Sequence, residues 1–380
     1  MNRRTWTNDL LIEAGRQFDL RGEFLEGGPY GTGHINDTFA VVYDQAGTRV
    51  RYIHQRLNSN VFKDPARLME NVRRVCRHTA RKVAETAPPG DVSRRALNLV
   101  PAADARPYWV DDAGDYWRTY FFVEKAATHD VITSTEQARE AARAFGIFQA
   151  MLADLPAGDL HETIPDFHNT PRRFKTLKDA ADADACGRAA RAGPELEFAF
   201  SREPLANTLI DLHAAGKIPA RITHNDTKLN NVMLDESTGE GVCVIDLDTV
   251  MPGLSLYDFG DMVRTATSPA AEDERDPSKV RARPEMFEAL ARGFLASAGS
   301  FLNETERAHL VTAGKLLTFE NGLRFLTDFL SGDVYFKTAR DDHNLDRCRT
   351  QFALLRSLED QESSFDKIVD SVDSSSSGKR

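Results

Sequence analysis

The sequence predicts an α+β chain in two lobes, a small lobe on an antiparallel sheet over a larger, mostly helical one. Three observations predict it. Residues 22–57 hold three β-rich segments separated by Gly-bearing turns, the pattern of a strand meander. From about residue 133 onward apolar residues recur at helical spacing, as on the buried face of a helix. Within that helical half, residues 222–249 form an island of short apolar runs and polar turns.

In chain order, residues 5–17 place Leu10, Leu11 and Ala14 on one helical face, with Thr7 or Asn8 as N-cap. The three β-rich segments of residues 22–57 are broken by GGPYGTG and DQAG. A long helix over 64–86 follows, with Asp64 as N-cap and Pro65 at the first helical position. Two more strands are expected around LNLVP and YWRTYFFVE. EKAATHDV bridges to the helix TEQAREAARAFGIFQAML, where Ser134, or else Thr133, is the N-cap and Gln137 completes a capping box. Ala141, Ala144, Phe145, Phe148 and Leu152 give that helix its core face. Residues 171–216 are charged, Ala-rich and helical on balance, without legible chemistry. YDFGDMVRTAT opens another helix, 268–284 is a polar loop, and three helical stretches run to about residue 368. The expected division is a small lobe over 1–124, a large lobe over 125–368 and a disordered, low-complexity tail over 369–380.

Composition limits the function classes. With 380 residues, 41% of them hydrophobic, the chain can bury two substantial cores. The net charge of −10 argues against a nucleic-acid partner. Cys76, Cys186, Cys243 and Cys348 show no paired spacing, so neither zinc nor a disulfide framework is expected. No apolar run is long enough for a membrane span or a secretory leader, so a cytoplasmic, soluble protein is expected. Protein partners leave no legible mark.

The chemistry concentrates in THNDTKLNNVMLDESTGEGVCVIDLDT, residues 223–249. Asp226 is followed five residues later by Asn231, and Asp246 ends the second apolar run. Phosphoryl transfer requires a carboxylate for the attacking hydroxyl and oxygen ligands for Mg²⁺ against the phosphates of ATP. Asp226 is the expected catalytic base, and Asn231 and Asp246 are the expected Mg²⁺ ligands. Lys228 would neutralise the γ-phosphate or remain a solvated loop lysine. Asp248 is either a second metal contact or a structural cap, and His224 is expected to orient the loop. In GGPYGTGHINDTF, Gly31 and Gly33 permit close backbone approach to phosphate.

The order β-β-β-α-β-β of the first lobe is that of a protein-kinase-like fold. Its third strand reads RYIHQRLN where protein kinases carry a V-A-I-K lysine. Arg56 is preferred as the substitute cation for the nucleotide, with Gln55 on the opposite face as the alternative. Glu70 would pair with it or stay solvated. Backbone groups near Val123, Glu124 and Lys125 are placed to meet adenine. In ENGLRFLTDFLSGDVYFK, the acceptor candidates are Arg324, Asp328 and Tyr335, set among phenylalanines. Arg324 and Asp328 are i, i+4, so a plain surface ion pair competes with substrate binding.

HNDTKLNNVMLD and VIDLDT resemble the aminoglycoside phosphotransferase and choline kinase superfamily. Together with GPYGTGHINDTF, YIHQRLN and ENGLRFLTDFLSGDVYF they resemble the N-acetylhexosamine 1-kinases, over about residues 24–355. The resemblance implies ATP-dependent phosphorylation of the anomeric hydroxyl of N-acetylglucosamine or N-acetylgalactosamine. It also implies that His34 and Asn36 face nucleotide or sugar, that Arg324 contacts the acceptor, and that Asp258 hydrogen-bonds the catalytic loop. Two rival readings remain. An aminoglycoside or choline kinase would need an acidic cage for a cation, for which Glu272, Asp273 and Glu274 are the best candidates. A nucleotide-binding pseudokinase would not need the intact Asp226, Asn231 and Asp246.

Overall fold

The computed structural model describes residues 5–31, 33, 35–86, 88 and 91–377, with side chains through Ser374. His34, one of the acceptor candidates, lies outside the described residues. The small lobe begins with helix α1 (Asn8–Gly15), capped by the Thr7 hydroxyl, which accepts from Leu10 N at 3.2 Å. Strands β1 (Glu23–Pro29), β2 (Asp37–Gln45) and β3 (Thr48–Arg56) follow as an antiparallel meander. Helix α2 (Pro65–Thr86) is capped by Asp64, whose side chain accepts from Arg67 N at 3.1 Å.

After the short helix α3 (Val92–Arg95) come β4 (Leu99–Val100), β5 (Trp109–Val110) and β6 (Tyr116–Phe121). They complete a sheet ordered β1-β2-β3-β6-β4, with β5 paired to β6. The sequence reading anticipated all of these strands except β5.

Strand alternation gives the sheet two distinct faces. Phe39, Val41, Tyr52 and Trp117 pack with Leu10 and Leu11 of α1 into an outer core. The opposite face carries Gln55 and Arg118, paired across β3 and β6, and Arg118 reaches Met69 of α2. This second face looks onto the catalytic segment.

The chain crosses to the large lobe through β7 (Ala126–Ala127) and α4 (Thr135–Leu152). Ser134 caps α4 by accepting from Gln137 N, and the Gln137 side chain returns to Thr133 N at 3.0 Å. Helices α5 (Thr170–Ala183), α6 (Gly193–Phe200) and α7 (Glu203–Ala214) account for the Ala-rich stretch. The island is β8 (Arg221–Thr223), β9 (Val232–Asp235), β10 (Gly241–Val244) and β11 (Met251–Gly253). Strands β9 and β10 are antiparallel with Val232 opposite Val244, and β8 pairs with β11.

Helices α8 (Ser255–Ala266), α9 (Pro284–Ala298), α10 (Glu304–Ala308), α11 (Leu310–Leu330), α12 (His343–Asp360) and α13 (Glu362–Ser377) complete the lobe. A core continuous across both lobes joins Met69 and Val72 of α2 to Phe145, Leu247 and Phe259. A second cluster joins Phe174 of α5 to Phe319, Leu323 and Phe329 of α11.

The expected tail over 369–380 is corrected in part, because α13 continues to Ser377. Phe365, Val369 and Val372 recur at helical spacing and are buried. This apolar face outweighs the poor helix propensity of the serines.

Candidate active site

The candidate catalytic loop, residues 224–231, is held mainly by one buried carboxylate. Asp258, near the start of α8, accepts from His224 N at 3.0 Å and from Asn225 N at 2.7 Å, and Gln149 of α4 also donates to it. Thr227 donates its hydroxyl to the Asp258 carbonyl. Asn225 has φ +64°, a left-handed conformation that Asn tolerates better than most residues. Its side chain locks that conformation by donating to Thr223 O at 3.2 Å and Thr249 O at 3.0 Å and accepting from the Thr223 hydroxyl at 2.8 Å. Gly253 of β11 admits this arrangement, since a Cβ there would stand 2.2 Å from the Thr223 hydroxyl. His224 bridges Ile245 O at 2.9 Å and Asp226 N at 3.3 Å, so it orients the loop.

Asp226 therefore emerges from a rigid turn, partly open to solvent. Lys228 Nζ lies 3.1 Å from its carboxylate. That negative neighbour, Asp226 above all, holds the Lys228 pKa above its ordinary value, so the ammonium stays charged. Asn231 donates Nδ2 to Asp226 O at 2.8 Å and Oδ2 at 3.3 Å. Its own backbone carbonyl accepts from Ile245 N at 2.9 Å, which brings Asn231 beside Asp246.

Asp246 has φ +58°. Burial first, then Asp248 and Asp226, push its carboxyl up to about 6. Three carboxylates thus converge with too little positive charge to balance them, a deficit that a divalent cation would remove. Among the described residues no three His, Cys, Asp or Glu side chains form a metal cage. The pair Asn231 and Asp246 instead fits an ion completed by phosphate oxygens and water, the habit of Mg²⁺.

Asp248 is tied to the small lobe. Arg118 of β6 donates Nη1 to its carboxylate, and both side chains are almost wholly buried. Asn36, just before β2, donates to the other oxygen at 2.6 Å. Arg118 Nε also donates to Gln55 Oε1 at 2.8 Å.

This arrangement corrects two expectations. Arg56 stands on the outer face of the sheet, where it pairs with Asp37 at 2.8 Å and Asp115 at 3.5 Å beside the Trp117 ring. The residue of β3 that faces the catalytic segment is Gln55. Glu70 does not meet Arg56, because it lies on the exposed side of α2 and pairs with Arg74 and with His161 at 2.6 Å. The cation beneath the cleft is Arg118, which sequence reasoning missed. A lone arginine in the otherwise apolar YWRTYFF was its available signal.

At the Gly turn, Gly31 has φ +77°, and a Cβ at Gly31 or Gly33 would meet open space. A cavity of about 970 Å³ joins this turn, at Gly28 and Tyr30, to Phe122 and Glu124 of the inter-lobe bridge. Of the bridge residues expected to meet adenine, Val123 is buried. The Glu124 carbonyl is taken by Arg94 Nε at 3.0 Å, and its side chain pairs with Arg51. That carbonyl therefore helps to hold the bridge.

Helix α11 approaches the loop from the other side. Glu320, fully buried, accepts from His168 Nδ1 at 2.8 Å and the Thr170 hydroxyl at 2.6 Å. His168 donates Nε2 to the Asn225 carbonyl at 2.9 Å. Burial alone would discharge this ring, but Glu320 and the Asn225 carbonyl more than offset it, and its pKa lies above the ordinary value. Arg324, one turn further along α11, donates to Asn321 Oδ1 at 3.3 Å and lies 5.5 Å from the Phe336 ring centre.

Asp328 is corrected from acceptor ligand to loop clamp. Its carboxylate accepts from Val334 N, Tyr335 N and Phe336 N at 2.8–3.0 Å and from Asn344 Nδ2 at 2.8 Å. Four donors saturate it, so the i, i+4 pair with Arg324 does not form. Tyr335, on the loop so held, is 68% exposed and free to meet a ligand.

A two-lobed body with Asp226, Asn231 and Asp246 at the foot of its sheet is that of a kinase-like phosphotransferase. A family model described as APH, phosphotransferase enzyme family, matches residues 26–293, and the chain belongs to that family. An aminoglycoside phosphotransferase from Alicyclobacillus acidocaldarius is similar over 99% of both chains, at 12% identity and a TM-score of 0.62. A choline kinase from Cryptosporidium parvum is similar over 96% of this chain and 98% of its own, at 13% identity and a TM-score of 0.54. A spectinomycin phosphotransferase solved with ADP and spectinomycin covers 94% of this chain and 99% of its own, at 12% identity and a TM-score of 0.52. At such identities the likeness is one of fold. No helix among the described residues is long and apolar enough to cross a membrane.

Proposed function

We propose that this phosphotransferase uses ATP to phosphorylate the anomeric hydroxyl of an N-acetylhexosamine, N-acetylglucosamine or N-acetylgalactosamine. Asp226 accepts a hydrogen bond from the acceptor hydroxyl and takes its proton as the oxygen attacks the γ-phosphorus. ADP leaves on the opposite side. Lys228, charged and beside Asp226, faces the phosphoryl group in flight. Asn231 and Asp246 are the residues that would hold Mg²⁺, which when bound supplies neutralising charge to the phosphates. The Gly31–Gly33 turn covers the phosphates, and Val123 is the bridge residue left for adenine.

One observation favours a neutral sugar over a cationic acceptor: the carboxylates near the acceptor end are already spent. Glu320 is bound by His168 and Thr170, and Asp328 by four N–H donors. In the loop suggested as an acidic cage, Glu272 pairs with Arg264, Asp273 with Arg340 and His343, and Glu274 with Lys279. A quaternary amine or polyamine would have to displace those partners.

The test is an ATP-consumption screen over N-acetylhexosamines, hexoses, amino alcohols and aminoglycosides, repeated with Asp226→Asn. The expected result is turnover with N-acetylhexosamines that the variant loses. Turnover confined to choline or aminoglycosides would replace this reading with the runner-up.

A further inference from the structure

We propose that Arg173 is a second specificity-determining residue, forming with Arg324 a guanidinium pair that receives the carbonyl oxygen of an acylated amine on the acceptor and rejects the free amine. The proposal rests on the sugar-kinase reading and adds to it the chemistry of the acceptor substituent.

The geometry begins at the hydrogen bond between Thr170 of α5 and Glu320 of α11. Arg173 lies three residues beyond Thr170 and Arg324 four beyond Glu320, each one turn along the same face of its own helix. Among the described residues, neither guanidinium has a carboxylate partner. The contacts of Arg173 are one hydrogen bond from Nη2 to Phe167 O at 3.2 Å, with Nε buried and unpartnered. Arg324 has Asn321 Oδ1 and the Phe336 ring.

Arg173 is placed against several electrostatic preferences at once. It sits in the first turn of α5, where the helix dipole disfavours a cation. Its neighbour Arg172 forms an ion pair there with Asp166, whereas Arg173 feels Glu320 and Asp166 only at longer range, too weakly to offset its burial. Burial, and then the charge of Arg324, hold its pKa below the ordinary arginine value. The buried Nε lacks an acceptor, which is costly without a ligand.

An amide carbonyl satisfies this pair, because it offers two lone pairs to converging N–H donors and brings no positive charge. An ammonium in the same place would add a third cation and offer no acceptor. The site should therefore separate N-acylated from free amino sugars more sharply than it separates epimers. The loop carrying Tyr335, fixed by Asp328, places an aromatic surface at the same end of α11.

The experiment measures kcat/KM of the full-length protein for N-acetylglucosamine, glucose and glucosamine, in wild type and in Arg173→Gln, Arg173→Lys and Arg173→Glu. Wild type should prefer the N-acetyl sugar and take glucosamine least. Arg173→Gln should lower kcat/KM for N-acetylglucosamine by roughly 10–100-fold, the scale of a lost charged hydrogen bond, through sugar KM and not ATP KM. Arg173→Lys should recover part of that loss. Arg173→Glu should raise the glucosamine to N-acetylglucosamine ratio at least tenfold.

Ratios within twofold of wild type in all three variants would overturn the role of Arg173 while leaving the sugar kinase intact. A wild type that phosphorylates no N-acetylhexosamine would overturn the underlying reading instead. Melting temperatures of the variants separate misfolding from lost recognition, and the ratio of two acceptors on one preparation is independent of the folded fraction.

Discussion

Replacing Glu320 with Gln tests how helix α11 positions the loop bearing Asp226. The change keeps the volume but removes the charge that two buried hydrogen bonds share, at 2.8 Å to His168 and 2.6 Å to Thr170. Hydrogen bonds to charged groups contribute about 1.5–3 kcal/mol each, and breaking a buried pair costs about 3–5 kcal/mol. Because Gln can still bond both partners, a loss of about 2–3 kcal/mol is expected near pH 6.

The pH dependence follows from the two shifts. The pKa of His168 is raised above 6.5, so its stabilising share is complete below 6.5 and is lost as pH rises through the raised value. The pKa of Glu320 is lowered beneath 4.5: burial opposes this, but His168 and Thr170 overcome it. Its share is complete above 4.5 and is lost on acidification through the lowered value. The pair therefore contributes most between these ordinary values, and the difference between wild type and Glu320→Gln should shrink toward pH 9. Calorimetric melting of both proteins from pH 5 to 9 measures it. Activity should fall through kcat, because His168 no longer holds the Asn225 carbonyl firmly, with ATP KM little changed. A melting difference that shows no dependence on pH, in acid or in alkali, as far as both proteins stay folded would refute a charged His168–Glu320 pair.

Three further outcomes are expected. Asp226→Asn should bind nucleotide as wild type does in calorimetric titration while kcat falls by about 10²–10⁴, and near-normal turnover would move the base elsewhere. Asp246→Ala should remove Mg²⁺-dependent ATP turnover at any Mg²⁺ concentration tested, whereas recovery at high Mg²⁺ would show that the carboxylate is dispensable. Arg324→Ala should lower kcat/KM for the sugar by roughly 10–100-fold with ATP KM unchanged, and a fall in melting temperature alone would return it to a structural role.

The convergence of Asp226, Asn231 and Asp246 was legible in the sequence because these groups are local. Asp226, Asn231 and Asp246 lie on one strand–turn–strand, so their spacing carries their geometry. Gln55 and Arg56 were a harder case. Alternation says that they face opposite ways, but it does not say which face α1 covers. That depends on Leu10 and Leu11 packing against Phe39 and Trp117, contacts between segments far apart in the chain. Asp328 misled for a related reason. The i, i+4 rule concerns one helix, whereas its carboxylate is captured by the N–H groups of the loop that follows. His168, Thr170 and Arg173 fall in or just before a stretch whose composition reads as ordinary surface helix, and they acquire meaning only against α11. The serine-rich end illustrates the opposite error, in which composition concealed the spacing of Phe365, Val369 and Val372.

The bond between Arg118 and Asp248 constrains how this molecule can breathe. Pulling β6 away from the segment after Asp246 would break an almost wholly buried ion pair, together with the Asn36 hydrogen bond to the same carboxylate. The central strands and the turn bearing Asp246 and Asp248 should therefore travel as a single block. Under the proposed reading, the movement that admits the acceptor would then fall to the loop bearing Tyr335, which lies outside that block. A change that stiffens that loop should then slow acceptor binding without delaying nucleotide.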